Sequence, residues 1–138
     1  MIKIVNNTTN NIGIIVGSGE LTKYYKDYVY KNNLGNKVYF IDAVPYINLL
    51  NITSSADIGL ALIQPISISY KYALPNKLFE YSMSGISCLS SKLQNMEEYI
   101  KKYNLGLCVE YKLSAQIQAV RSLSASKQKK YYFNNRSI

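Results

Sequence analysis

The stretch ADIGLALIQPISISYKYALPNKLFEYSMSG, residues 56–85, decides how this chain folds. Residues 57–63 (DIGLALI) form a continuous apolar run of strand length, and the following QPISISYKYA reads as a loop. Residues 75–84 read as a helix. Pro75 suits its first position, where the missing N–H costs nothing, and Gly85 is placed for a left-handed stop. Residues 86–89 then supply a further apolar strand.

The same alternation extends in both directions. Upstream, residues 12–16 (IGIIV) read as a buried strand, and GSGE turns the chain into a helix carrying Leu21, Tyr24, Tyr25 and Tyr28 at helical spacing, with Gly35 just past its end. Residues 38–41 (VYFI) are the next strand, and Pro45 with Leu49 and Leu50 suggests a short helix. Downstream, Asn95 and Glu98 make a capping pattern before a helix with Met96, Tyr99, Ile100 and Tyr103 on one face. Glu97 and Glu98 are spaced to pair with Lys101 and Lys102. Gly106 marks the helix end, residues 107–110 a fifth strand and residues 113–123 a last helix. Continuous apolar strands separated by helices imply an α/β fold, a Rossmann-like open parallel sheet with helices on both faces. Ligands on such sheets bind beyond the carboxyl ends of the strands. That rule puts the GSG turn, the loop after VYFID and the loop ending in ALPNK on one rim.

Composition bounds the function. The chain has 138 residues, 48% of them hydrophobic, which suits one domain with a core. No stretch approaches the roughly 18 apolar residues of a membrane span, and no apolar signal centre opens the chain, so a cytoplasmic protein is expected. The net charge is +8, yet Lys outnumbers Arg 14 to 2, and Asn, Ile, Tyr and Lys make up 58 of 138 residues. All four have AT-rich codons, so composition accounts for the charge and no nucleic-acid partner is expected. Lys127, Lys129 and Lys130 with Tyr131, Tyr132 and Phe133 read first as a solvated tail and second as a contact to anionic lipid at the inner face of the cell membrane. Cys88 and Cys108 read as free thiols. With no His in the chain, there is no zinc site and no His-based nucleophile pair.

Taken together, ADIGLALI, ALPNKLFEYSMSG and GISCLSS resemble the donor-site signature of family-4-type GT-B glycosyltransferases. There an "AD" strand leads through a loop into a helix with an E-A-x-A-x-G-like run. IVGSGE is similar to the family's G-x-G turn, and VYFIDAV–P to its V-x-F-x-G-x-V strand. The resemblance covers about residues 12–110 and rests on the set of motifs in order. It implies the C-terminal half of a GT-B fold, which binds a UDP- or GDP-linked sugar, uses no cofactor and no required metal, and acts with retention. Acceptors in the family are often saccharides or lipid-linked saccharides of cell-envelope polymers.

The residues support that reading independently. After Pro75, the N–H groups of Asn76 and Lys77 lack intrahelical partners, and such a helix start favours a diphosphate. Lys77 adds a cation. Leu78, Phe79, Ser82 and Met83 make the side expected to face the sheet, leaving Glu80 toward the rim, where the resemblance implies that its carboxylate accepts from both ribose hydroxyls, as the matching Glu does in the family. The competing reading of Glu80 is a surface acid paired with Lys77. In the family a second acid stands eight positions earlier; here that position is Tyr72, which suits stacking on the sugar or plain loop packing. Leu74 completes the donor-binding segment. Gly17 and Gly19 allow close backbone approach or simply make a turn, and Val44 matches a position that meets the nucleobase or packs a strand end.

Nothing in MIKIVNNTTNN (residues 1–11) resembles the family's G-R-x…K-G opening, which clamps the diphosphate. The expected organisation is therefore a polar lead-in over 1–11, a partial donor-binding domain over 12–124 and a basic, aromatic tail over 125–138, lacking the N-terminal acceptor domain and without turnover alone. Two functions compete: a glycosyltransferase donor domain, or a non-catalytic nucleotide-binding or partner module left from a truncated glycosyltransferase.

Overall fold

A computed structural model describes residues 1–125. The terminal Lys and aromatic run lies outside them. The chain divides into two compact units, Met1–Leu49 and Leu50–Ile138.

In the first unit, helix α1 (Ile2–Asn6) precedes strand β1 (Gly13–Val16), helix α2 (Thr22–Lys31) and strand β2 (Val38–Ile41). The expected polar lead-in is thus partly helical, with Ile2, Ile4 and Val5 buried. Its polar residues close the helix: Asn7 Nδ2 donates to the Lys3 carbonyl (2.7 Å) and Thr8 Oγ1 to that of Val5 (3.3 Å). β1 and β2 pair in parallel from Gly13–Val38 to Val16–Ile41. The core joins Ile2, Val5, Val29, Leu34 and Val38, with Ile15 and Phe40 against them. Of the residues at helical spacing around α2, Leu21, Tyr24 and Tyr25 are exposed, Tyr28 is half-buried against the core, and Val29 is buried. The apolar spacing was helical, but tertiary packing selected its C-terminal end.

Helix α3 (Tyr46–Ser54) crosses the boundary between units. The second unit continues with β3 (Ile58–Ala61), the short α4 (Ile68–Lys71), α5 (Asn76–Met83), β4 (Ser87–Ser91), α6 (Gln94–Tyr103), β5 (Gly106–Val109) and α7 (Leu113–Ala125). Its sheet is parallel in the order β3-β4-β5. Central β4 is buried at every position although it reads SCLSS. Its hydroxyls are satisfied: Ser90 Oγ donates to the Ser91 carbonyl (2.7 Å), and Ser91 Oγ accepts the Ile63 N–H (2.8 Å). Ala61, Leu78, Cys88, Leu93, Met96, Ile100 and Leu105 form the core.

Three helices end in the same hydrogen-bonded motif, with a left-handed residue after the last turn. Gly85 (φ 69) serves α5, as expected, with Ile86 N–H donating to Tyr81 and Gly85 N–H to Ser82. For α2 and α6, however, the stops are Asn33 (φ 55) and Asn104 (φ 52), not Gly35 and Gly106. Asn tolerates this conformation better than other side chains, and Gly106 is instead the first residue of β5.

Candidate functional site

The stretch 72–80 brings Tyr72, Leu74, Pro75, Asn76, Lys77 and Glu80 together at the start of α5. Pro75 is not the first helical residue. It is the N-cap, in extended backbone (φ −71, ψ 151), and its carbonyl accepts the Leu78 N–H at 3.1 Å. No side chain caps this end and no acid lies in its first turn. The N–H groups of Asn76 and Lys77 point out of the helix start, and both side chains are exposed.

What holds α5 in place differs in part from expectation. Leu78 (0% exposed) and Ser82 face the sheet, and Ser82 Oγ bonds back to the Leu78 carbonyl at 2.7 Å. Met83, expected to join them, is 61% exposed. The inward position is taken by Tyr81, whose hydroxyl donates to the Leu60 carbonyl on β3 (3.0 Å). Its ring lies where a Cβ at Gly59 would be, so β3 needs a glycine there. Burial, helped by the Cys88 and Glu80 charges, pushes the Tyr81 phenol to about 12, and it remains a donor at neutral pH. On the other side, the Phe79 ring meets Tyr99 of α6 edge-on at 5.4 Å. Glu80, between these two anchored rings, shares the outer helix face with Asn76 at i−4 and is half-buried. It forms no ion pair with Lys77 among the described residues.

The segment leading to α5 is mostly open. Ile66, Ile68, Tyr70, Tyr72 and Leu74 are exposed, and Ser67 caps the single turn of α4 by accepting the Tyr70 N–H at 3.3 Å. Asn95 was expected to cap α6, but that helix starts after Leu93. Its Nδ2 instead donates to the Tyr72 carbonyl at 2.7 Å. Neither Tyr81 nor Asn95 had a signal in the sequence that pointed to these partners.

Gly17, Gly19 and Val44 belong to the first unit. Gly17 has φ +112, donates its N–H to the Ile41 carbonyl (2.9 Å), and has open space where a side chain would stand. Gly19 N–H donates to Thr22 Oγ1 (2.8 Å), and its other side is equally open. Val44 is half-buried in the loop after β2.

Other reactive groups are muted. Cys88 and Cys108 are free thiols. Burial first, then the neighbouring Cys108, pushes Cys88 up to about 12, and burial raises Cys108 as well. Neither is poised as a thiolate. Among the described residues no three His, Cys, Asp or Glu side chains gather as a metal ion would require. A shallow depression lined by Lys92, Gln94, Glu97, Glu98 and Lys101 includes none of the expected donor residues. No helix among the described residues is long and apolar enough to cross a membrane.

Comparison with known proteins agrees with this architecture. The chain is similar to WaaG, a glycosyltransferase involved in lipopolysaccharide biosynthesis, at 14% identity and TM-score 0.66, over 91% of this chain and 33% of that one. It is similar to AviGT4, a glycosyltransferase involved in avilamycin A biosynthesis, at 16% identity and TM-score 0.67, over 93% and 38%. At these identities the likeness shows the fold, that of GT-B glycosyltransferases, and the chain spans between 33% and 38% of the length of these two proteins. No curated protein matches it. The family described as Glycosyl transferases group 1 matches residues 2–137, so α1 falls within the matched region. With that match running almost from end to end over a GT-B-type fold, the chain belongs to the group 1 glycosyl transferases.

Proposed function

We propose that this chain is the donor-binding part of a glycosyltransferase that moves a hexosyl group from a UDP- or GDP-linked sugar to a saccharide or lipid-linked acceptor. One observation carries the reading: α5 begins with free N–H groups, no capping side chain, no acid in the first turn, and Lys77 beside it. A helix start of this kind attracts a diphosphate, and Lys77 would offset the charge that grows on it as the glycosidic bond breaks. Glu80, one turn along, would accept hydrogen bonds from the ribose hydroxyls, and Tyr72 and Leu74 would flank the bound nucleotide sugar. In the first unit, Gly17 and Gly19 have open space where side chains would stand, which would let a ligand approach that turn closely.

A cell-envelope role is supported by one similar structure, WaaG, being named for lipopolysaccharide biosynthesis. Transfer also requires an acceptor hydroxyl held against the anomeric carbon. The residues assigned here would all serve the donor, so this chain alone is proposed to bind without turnover. Calorimetric titration of the full chain with UDP and with GDP is the test. Saturable binding of one of them that inorganic phosphate does not reproduce supports the proposal. Absence of binding by both would sink it.

A further inference from the structure

We infer that the junction of β4 and α6, residues 91–95, is a clasp that sets the segment leading into α5, with Asn95 as its positioning residue. Residues 62–75 connect β3 to α5, and from Ile66 onward their large apolar side chains Ile66, Ile68, Tyr70, Tyr72 and Leu74 are exposed. Side-chain burial therefore does little to choose one conformation for this segment. Two long-range hydrogen bonds tie it down instead, one near each end. At its start the Ile63 N–H donates to Ser91 Oγ (2.8 Å), and near its end Asn95 Nδ2 donates to the Tyr72 carbonyl (2.7 Å).

Both bonds come from residues that flank the same short turn, Ser91 at the end of β4 and Asn95 in the first turn of α6, and this junction is firmly seated. Ser91 and Leu93 are buried, Leu93 N–H donates to the Ser91 carbonyl at 2.8 Å, and Met96 beside Asn95 is fully buried. Tyr72 stands three residues before Pro75, so a fix on its carbonyl sets the approach of the chain to the helix start. Residue 95 must donate for this to work. An ionised Asp of the same shape accepts only and would face the carbonyl with a charge. The consequence for ligand binding rests on the donor reading of α5; the clasp itself does not.

The experiment compares the full chain with Asn95→Ala, Asn95→Asp and Asn95→Gln, using isotope-labelled protein. Amide exchange is read at Lys71, Tyr72 and Ala73, whose N–H groups bond within the α4 turn. UDP and GDP affinities are read by titration. Asn95→Ala and Asn95→Asp should speed exchange at these three amides and weaken binding about threefold to tenfold, while exchange in β4 holds. Asn95→Gln, which keeps the donor, should restore much of both. Changes confined to the first turn of α6, with residues 71–73 and nucleotide affinity untouched, would overturn the clasp. If the parent binds neither nucleotide, the donor reading falls, and exchange at residues 71–73 decides the clasp alone.

Discussion

Helices α5 and α6 pack on the same strand, β4, and both begin after a residue in extended backbone that provides no side-chain cap: Pro75 in one, Leu93 in the other. Their first turns then diverge. α6 has Glu97 there, a carboxylate that complements the helix start, and closes with Lys101 and Lys102 at the other end. α5 has no acid in its first turn and carries Lys77 instead, a charge of the wrong sign for its own dipole. Each such placement costs or contributes about 0.3–1 kcal/mol. A helix that forgoes this stabilisation keeps its start free for an anion, and departures from local consistency of this kind concentrate at functional sites. The difference teaches which of two similar ends is a candidate site, and four experiments press on it.

The largest effect should strike both helices alike, through the floor they share. Cys88 on β4 is buried and its thiol is pushed from 9.0 up to about 12. The folded chain therefore keeps a proton that the unfolded chain gives up above pH 9. Stability is complete below about pH 9 and falls progressively as pH rises toward 12. Tyr81, raised from 10.0 to about 12, adds a second decline starting one unit higher. Thermal melts across this window should show the fall in the parent and a shallower one in Cys88→Ala. A flat parent profile would contradict the buried thiol.

Next comes Lys77→Glu, which gives α5 the first-turn acid that α6 already has. Nucleotide affinity should drop about a hundredfold as attraction becomes repulsion beside the diphosphate. The melting midpoint should hold or rise, because the helix start gains its complementary charge. Opposite signs in the two readouts mark a site; unchanged affinity would make this end a merely unfavourable helix start.

Glu80→Ala should cost less. A charged hydrogen bond to ribose contributes roughly 1.5–3 kcal/mol, which is about tenfold or more in affinity. Parent and variant binding equally would return Glu80 to the role of surface acid. The smallest change belongs to Glu97→Gln in α6. Its carboxylate bonds Lys101 at 2.7 Å, an exposed pair, so a slight loss of stability that fades at high salt is expected, with nucleotide affinity unaltered. A matching fall in affinity would erase the distinction between the two helix starts.

Much of the fold was legible because it is written locally. The run VYFI coincides with β2, and the helices over 76–83, 94–103 and 113–125 lie within a residue or two of where apolar spacing and Gly85 put them. Helix ends were harder. In a chain with so many Asn residues, Asn33 and Asn104 did not stand out as stops, whereas Gly35 and Gly106 did. Residues 1–11 looked like a lead-in because Asn and Thr dominate, yet those side chains close α1 while Ile2, Ile4 and Val5 are buried. Within the candidate site, Pro75, Lys77 and Glu80 could be read because they sit within six residues of one another on one helix start.

The sequence by itself determined the succession of parallel strands and helices, and with it the helix start whose free N–H groups and Lys77 suggest an anion. Those properties depend on residue spacing and on neighbours a turn away. Only the tertiary structure decided that Tyr81 rather than Met83 faces β3 over Gly59, that the serines of β4 are buried with partners, and that Asn95 bonds a carbonyl 23 residues away instead of capping its own helix. Apolar periodicity records which way a side chain leaves the backbone. A hydrogen bond between segments far apart in the chain leaves no such period, because its partner is chosen only when packed elements bring donor and acceptor within 3 Å.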